Sequence, residues 1–241
     1  MTTRSIETSP QVYARIAGVL YLLIIVMGGL DQLFIRGRLV MSGDAMSTAK
    51  NIMAAESLWR IGIAGDLIMH VFDIPTILIL YILLKPVNKN LVLLAVLFNL
   101  IQTAVLVVNK LNLLMPLFLL SNADYLTAIE PSQLYVLSYL FIKAHDFGFG
   151  IGLIFFGFAC LIYGYLLFQS GYFPKALGVL VMIAGLSYLT NSFTLILAPE
   201  YSGAILPVLA LALIGELSFS LWLIFKGVNL PKWEKRSLES A

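Results

Sequence analysis

The feature that most constrains this chain is an apolar run that extends from Leu134 to Phe168. At about 1.5 Å per residue, a helix of this length exceeds the roughly 30 Å hydrocarbon core of a bilayer. Ionisable residues, among them His145 and Asp146, nevertheless lie inside the run. An apolar segment of this length with polar groups embedded in it predicts a tilted or protruding membrane helix that carries a polar site.

The composition supports a membrane location for the whole chain. Of its 241 residues, 60% are hydrophobic and only 12% are charged, which is too few polar side chains to cover a water-soluble protein of this size. The net charge is +2, and lysine and arginine form no dense patch. The lipid bilayer is therefore the expected partner, and nothing in the charge pattern indicates nucleic-acid binding.

Polar turns divide the chain into six apolar segments, each long enough to cross a bilayer. The segments cover residues 16–34, 61–84, 91–119, 134–168, 176–197 and 204–226. The prediction is an all-α, polytopic membrane helix bundle of about six transmembrane helices. It forms a single domain over residues 1–241, in which residues 227–241 are a basic cytoplasmic tail.

The first loop after residue 34 has helical periodicity over residues 47–59, which predicts a short amphipathic helix in an outer loop. Glu56 and Arg60 have the i,i+4 spacing of a helical ion pair. Trp59 would then anchor the chain at the membrane interface, where tryptophan is enriched.

An even number of spans places both termini on the same side, and the positive charges predict which side. The termini-side segments hold Arg4, Arg15, Lys85, Lys89, Lys175, Lys226, Lys232, Lys235 and Arg236, whereas the basic residues of the opposite loops all lie in the first of them. Because cytoplasmic loops carry an excess of lysine and arginine, we expect a protein of the cytoplasmic (inner) membrane with both termini in the cytoplasm.

A stripe of ionisable residues occupies the second segment. Asp66, His70 and Asp73 have the spacing i, i+4, i+7, which confines them to an arc of about 60° on one helix face. Each acid near the bilayer centre costs roughly 2.5–3.5 kcal/mol on insertion scales. The stripe is therefore expected to face the interior of the bundle and to find partners there.

Other spans bring polar residues to a similar depth. Counting inward at about 1.5 Å per residue places His145, Glu216 and Gln102 near the bilayer middle with His70, and Asn109 shares a helix face with Gln102. The predicted central cluster consists of Asp66, His70, Asp73, Gln102, His145, Asp146 and Glu216. Asn109, Glu56 and Arg60 are further polar candidates.

Three functions could use this cluster. In a metal-dependent hydrolase, His70 and His145 would bind zinc with Asp66 or Asp146, and Asp73 or Glu216 would act as the catalytic base. No His-x-x-x-His or His-Glu-x-x-His spacing is present to support a metal. In a proton-coupled transporter of small solutes, the same acids and histidines would take up and release protons. In a structural or interaction protein without catalysis, they would only hydrogen-bond between helices. A small-molecule or lipid ligand fits the first two, and whether the protein is an enzyme stays open.

Glycines in the fourth segment indicate where helices approach each other closely. Gly148 and Gly152 form a G-x-x-x-G motif, and Gly157 and Gly164 continue the small-residue pattern. Such patterns are typical of close helix packing in membranes.

Several motifs carry a resemblance to a known family. They are Ala14-Arg15-Ile16-Ala17-Gly18-Val19-Leu20-Tyr21-Leu22, Glu56-Ser57-Leu58-Trp59-Arg60, Lys85-Pro86-Val87-Asn88, His145-x-x-Gly148-Phe149, Phe155-Phe156-Gly157, Gly164-Tyr165 and Ser170-Gly171-Tyr172-Phe173-Pro174-Lys175. From about Ala14 to Gly227 the chain resembles a bacterial family of six- or seven-span membrane proteins described as a domain of unknown function. The resemblance implies a single-domain bacterial inner-membrane protein and supplies no activity. It also implies that Glu56, Arg60, Asp66 and His145 belong to the family pattern.

Overall fold

The fold was obtained as a computed structural model that describes residues 9–121 and 123–240. Arg4, which contributes to the predicted charge asymmetry, lies outside the described residues. Within these ranges the chain is helical and contains no strand. Six helices are long and apolar enough to cross a membrane, so the prediction of an all-α, multi-pass helix bundle is confirmed.

The main helices have the following bounds in chain order. They are α1 Pro10–Leu30, α2 Ala45–Ala54, α3 Glu56–Leu84, α4 Lys89–Leu119, α5 Pro131–Ser170, α6 Lys175–Leu197, α7 Leu209–Phe225 and α8 Leu230–Glu239. Helix α1 continues through a π-helical segment, Asp31–Arg36, and a final turn, Gly37–Leu39. Short helical turns over residues 199–208 lead into α7.

Local sequence signals begin and end these helices. Asn88 caps α4, because its side chain accepts hydrogen bonds from the backbone N–H groups of Asn90 and Leu91. Helix α5 ends at Gly171, whose φ of 75° lies in the left-handed region that favours glycine. The six spanning helices are therefore delimited by ordinary capping chemistry as well as by their apolar length.

The spanning helices α1, α3, α4, α5, α6 and α7 form a closed ring. Each packs mainly against the spanning helices before and after it in the chain, and α7 closes the ring against α1. Contacts across the ring are sparse by comparison. This arrangement leaves room for a central cavity that every spanning helix can line.

Two apolar clusters lie toward the two ends of this ring. On α3, Trp59 and Ile63 belong to one cluster, and Leu83 and Leu84 belong to the other. On α4, Val92 belongs to the cluster of Leu83, and Leu113 belongs to the cluster of Trp59. Because the cavity-lining residues of both helices fall between these positions in the sequence, the cavity lies between the two clusters along α3 and α4.

The predicted amphipathic helix in the first loop exists, with bounds that differ from the periodic stretch 47–59. Helix α2 covers Ala45–Ala54, and the chain breaks at Ala55 before α3 begins. Asp44 caps α2. Its carboxylate accepts hydrogen bonds from the Ser47 hydroxyl and the Ser47 backbone N–H, and these bonds hold the pKa of Asp44 below its usual value. Trp59 is 1% exposed and donates to the Leu113 carbonyl oxygen at 2.8 Å, so the prediction of an interfacial anchor is wrong.

Glycines bring α5 and α6 into backbone contact. A Cβ added at Gly164 would lie 2.6 Å from the Gly178 carbonyl oxygen, and one at Gly185 would lie 2.7 Å from the Gly157 carbonyl oxygen. The two glycines of the predicted G-x-x-x-G motif lie against α4 instead. Gly148 faces Asn109, and Gly152 faces Leu106. Close packing at the glycines is therefore divided between two neighbouring helices.

Replacing Gly164 with alanine is expected to destabilise the bundle by about 1–3 kcal/mol, because the new methyl group would overpack the α5–α6 contact. Equilibrium unfolding by SDS in mixed micelles measures the change. Gly203→Ala is the matched control, since nothing lies within 4 Å of a Cβ added there. Equal stability of the two variants would contradict close packing at Gly164.

The two chain ends meet at one end of the ring. The Gln11 side chain donates to the Lys226 carbonyl oxygen at 2.9 Å and accepts from the Val228 backbone N–H at 2.9 Å. Helix α8 is held at the same end, where Trp233 Nε1 donates to the Leu83 carbonyl oxygen at 3.0 Å. The basic residues of the tail and of the turns after α3 and α5 are thereby gathered at this end.

Candidate functional site

A cavity of about 600 Å³ occupies the centre of the ring. Side chains from all six spanning helices line it. Most of its wall is apolar, with aromatic side chains that include Phe149, Phe156 and Phe219. The volume falls in the range of small-molecule sites, which also combine apolar walls with a few placed polar groups. The ionisable groups in the cavity wall, together with polar residues directly behind them, form two layers.

The first layer, which we call the charged layer, consists of Asp31, Arg36, Asp66, Lys110 and His145. Lys110 Nζ lies 2.5 Å from Asp66 Oδ2, and both side chains are almost fully buried. Arg36 pairs with Asp31 and also reaches Asp66 Oδ2 at 3.7 Å. Two acids and two cations therefore balance each other, as buried charges require.

The π-helical segment of α1 supplies two of the five residues of this layer, Asp31 and Arg36. Its hydrogen bonds join residues five positions apart, which aligns Asp31 with Arg36 on successive turns. Gly62 of α3 permits the approach, because a Cβ there would lie 2.5 Å from Asp31 Oδ1. Departures from α-helical geometry of this kind occur frequently at functional sites.

His145 completes the charged layer from α5. Its Nε2 lies 3.3 Å from Lys110 Nζ, and Asn109 donates to its backbone carbonyl oxygen at 2.9 Å. The ring is 1% exposed, and Nδ1 has no hydrogen-bond partner within the described chain. Because a lysine ammonium only donates, Nε2 is the acceptor and Nδ1 carries the proton in the neutral ring. This buried donor makes no hydrogen bond, although Asp146 Oδ1 lies 3.8 Å from it.

The second layer, which we call the acidic layer, consists of Tyr21, His70, Asp73, Thr103 and Glu216. Asp73 Oδ2 lies 2.9 Å from His70 Nδ1 and accepts a hydrogen bond from Thr103 Oγ1 at 3.3 Å. Tyr21 donates to Glu216 Oε1 at 3.0 Å. No lysine or arginine pairs with either acid in residues 9–121 and 123–240, unlike the acids of the charged layer.

Helix register gives the separation of the two layers. Asp66 and Asp73 on α3 are seven residues apart, as are Thr103 and Lys110 on α4, which corresponds to about 10 Å along each axis. The two helices are antiparallel neighbours, and their registers agree. A ligand that contacted both layers would therefore be about 10 Å long.

The structure brings together most of the predicted central cluster. The stripe Asp66, His70 and Asp73 faces the cavity, and Gln102, His145 and Glu216 line it as well. Asn109 is buried beside the cavity, where it holds the His145 backbone, and it accepts from Asn112 at 2.9 Å.

The remaining candidates lie at or beyond the edge of the site. Asp146 is half-exposed at the cavity rim and pairs with Lys143 at 3.4 Å. Glu56 and Arg60 form the predicted i,i+4 pair at 2.7 Å, but this pair is exposed at the start of α3 and does not line the cavity.

The predicted zinc ligands are not arranged as a metal centre. His70 pairs with Asp73, Asp66 pairs with two cations, and His145 contacts Lys110. Over the part of the chain that the structure describes, no three His, Cys, Asp or Glu side chains are grouped to hold a metal ion. The donor set therefore gives the hydrolase hypothesis no support.

Four important residues were absent from the predicted cluster: Asp31, Arg36, Lys110 and Tyr21. A signal for Lys110 existed, since a lysine inside an apolar span requires a buried partner. Asp31 and Arg36 straddle the predicted end of the first span at residue 34, and the helical chain in fact continues to Leu39. Tyr21 gave no signal, because tyrosines are common in membrane helices.

One of the comparisons with known proteins covers the whole cavity. A family profile described as "Domain of unknown function (DUF4386)" matches residues 16–227. A protein of Archaeoglobus fulgidus described as "Uncharacterized protein" is 29% identical over 175 residues, which cover 70% of this chain and 86% of the relative. No solved structure matches the chain. The family match therefore extends over both polar layers, and neither description assigns an activity.

Proposed function

The chain belongs to the DUF4386 family, in agreement with its sequence resemblance, and we propose that it is a proton-coupled carrier of a small solute. The observation that carries this proposal is the central cavity, which all six spanning helices line and which holds ionisable groups at two depths. Ionisable residues inside membrane proteins typically mark solute or proton pathways.

The two layers have different roles in this proposal. The charged layer is internally balanced and holds α1, α3 and α4 together. The acidic layer holds the groups that exchange protons, namely Glu216 and the His70–Asp73 pair. Proton uptake there would change the net charge of the cavity and hence its affinity for a solute.

The apolar clusters at the two ends of the ring support alternating access. A carrier must open its central site to one side of the membrane at a time. Separation of the cluster that contains Trp59 would open one end, and separation of the cluster that contains Leu83 would open the other. The cavity between them is where the solute would be held.

The proposal includes an orientation and a location. The basic residues Lys85, Lys175, Lys226 and Lys232 flank the end where α1 begins and α7 finishes. Under the positive-inside rule this end faces the cytoplasm, so both termini and the basic tail are cytoplasmic. The proposed location is the cytoplasmic (inner) membrane, with residues 1–241 forming one transmembrane domain.

Uptake into proteoliposomes tests the carrier function. The full chain is reconstituted, a pH gradient is imposed, and uptake of radiolabelled tyramine, tyrosol and 3-(4-hydroxyphenyl)propionate is compared with uptake by protein-free vesicles. These probes share one aromatic body and differ in charge. We expect gradient-dependent uptake of at least one probe that a protonophore abolishes. Uptake equal to that of protein-free vesicles for all three, by well-folded protein, would overturn the proposal.

A further inference from the structure

In the described residues, the two carboxyl groups of the acidic layer, Asp73 and Glu216, have no lysine or arginine partner. With both carboxyls ionised, Asp73 and Glu216 contribute two negative charges, and protonation of His70 would offset only one. The cations that line the described cavity, Arg36 and Lys110, lie in the other layer and are already paired. Buried charges are normally compensated, so this layer is suited to a cation supplied by a ligand.

An unpartnered atom in the same layer indicates what that cation must offer. His70 is 3% exposed, and its Nε2 has no hydrogen-bond partner in the described residues. Its Nδ1 lies 2.9 Å from the Asp73 carboxylate, which accepts, so Nε2 is the free acceptor in the neutral ring. The complementary ligand group therefore carries a positive charge and also has a hydrogen to donate.

The rest of the cavity sets the remainder of the ligand. Its walls are largely apolar and aromatic, and its volume of about 600 Å³ is much larger than an inorganic ion needs. About 10 Å from the acidic layer, the Nδ1–H of His145 makes no hydrogen bond in the described residues, since Asp146 Oδ1 lies 3.8 Å away, and a ligand oxygen could accept from it. This pattern fits an apolar body with an ammonium group at one end and an oxygen at the other.

We propose that the cavity binds protonated primary or secondary amines with an apolar or aromatic body, the ammonium group lying between Asp73, His70 and Glu216. This inference rests on the proposed carrier function for its physiological meaning, and the binding itself is independent of transport. Exchange of the bound amine for protons on the two carboxyls would then couple amine transport to proton transport.

Direct binding tests the ligand class. Equilibrium dialysis of radiolabelled tyramine against detergent-purified full-length protein gives the affinity, and competition with tyrosol and 3-(4-hydroxyphenyl)propionate gives the charge preference. We expect tyramine to bind at least about tenfold more tightly than either competitor. Equal competition by tyrosol, stronger binding of the carboxylate, or no tyramine binding by well-folded protein would overturn the inference.

Matched variants locate the binding. Asp73→Asn and Glu216→Gln are each expected to weaken tyramine binding about tenfold, whereas Asp124→Asn and Glu234→Gln, at exposed positions outside the cavity, leave it unchanged. If Asp73→Asn and Glu216→Gln bound tyramine as tightly as the two control variants do, the assignment to the acidic layer would be overturned. If a cavity variant misfolds, the preference of the wild-type protein among the three probes remains decisive.

The two proposals fail in different ways. Tyramine binding without uptake of any probe would contradict the carrier function and leave the amine class intact. Gradient-driven uptake of tyrosol or the carboxylate, with no tyramine binding, would contradict the amine class alone.

Discussion

Replacing Lys110 with methionine is expected to destabilise the protein by about 3–5 kcal/mol, because it leaves the Asp66 carboxylate buried without its closest cation. Asp66 is 2% exposed, and its other cationic partner, Arg36, lies farther away at 3.7 Å and already pairs with Asp31. Arg36 cannot replace Lys110 without giving up part of that pairing. SDS unfolding in mixed micelles measures the loss.

An exposed ion pair on α3, the helix that carries Asp66, provides the control. Arg60→Met removes the partner of Glu56, but both side chains are more than half exposed, so we expect a change of only about 0–1 kcal/mol. The double variant Asp66→Leu with Lys110→Met is expected to recover most of the stability, because it removes both charges. If Lys110→Met and Arg60→Met were equally mild, the charged layer would not be the buried network described above.

Replacing Glu216 with glutamine is expected to reduce gradient-driven uptake at least about tenfold, equivalent to ~1.4 kcal/mol. Glutamine keeps the shape of the side chain and an oxygen that can accept from Tyr21, but it cannot take up or release a proton. The variant should therefore fold normally and lose the dependence of uptake on the pH gradient.

The proteoliposome assay separates loss of coupling from loss of the carrier. Solute exchange without a gradient is expected to persist in Glu216→Gln, while net uptake driven by the gradient is lost. Glu234→Gln on the exposed face of α8 makes the same chemical change outside the cavity and should behave as the wild type. Wild-type dependence of uptake on the gradient in Glu216→Gln would place proton exchange elsewhere.

The structure explains why the polar stripe on α3 could be predicted and its partners could not. Asp66, His70 and Asp73 lie on one helix, so their shared face follows from the 3.6-residue period alone. Which of them meets a cation depends on the register of α4 and on the length of α1. Asp66 pairs with Lys110, whereas Asp73, seven residues away, pairs with His70 and Thr103. These neighbours make one acid part of a balanced network and leave the other without a cation.

The sequence by itself determined the architecture. Apolar length, capping residues and the cost of polar backbone in lipid require six helices, whatever their packing. Tertiary structure alone decided the site, because helix order in the ring and the π-helical extension of α1 bring side chains from distant segments together. Asp31 and Arg36 lie at positions that could equally have faced solvent at a membrane surface, whereas Lys110 lies inside an apolar span and needs a partner that only packing supplies. The pairwise contacts that make them a buried network arise only when α1, α3 and α4 pack at one particular register.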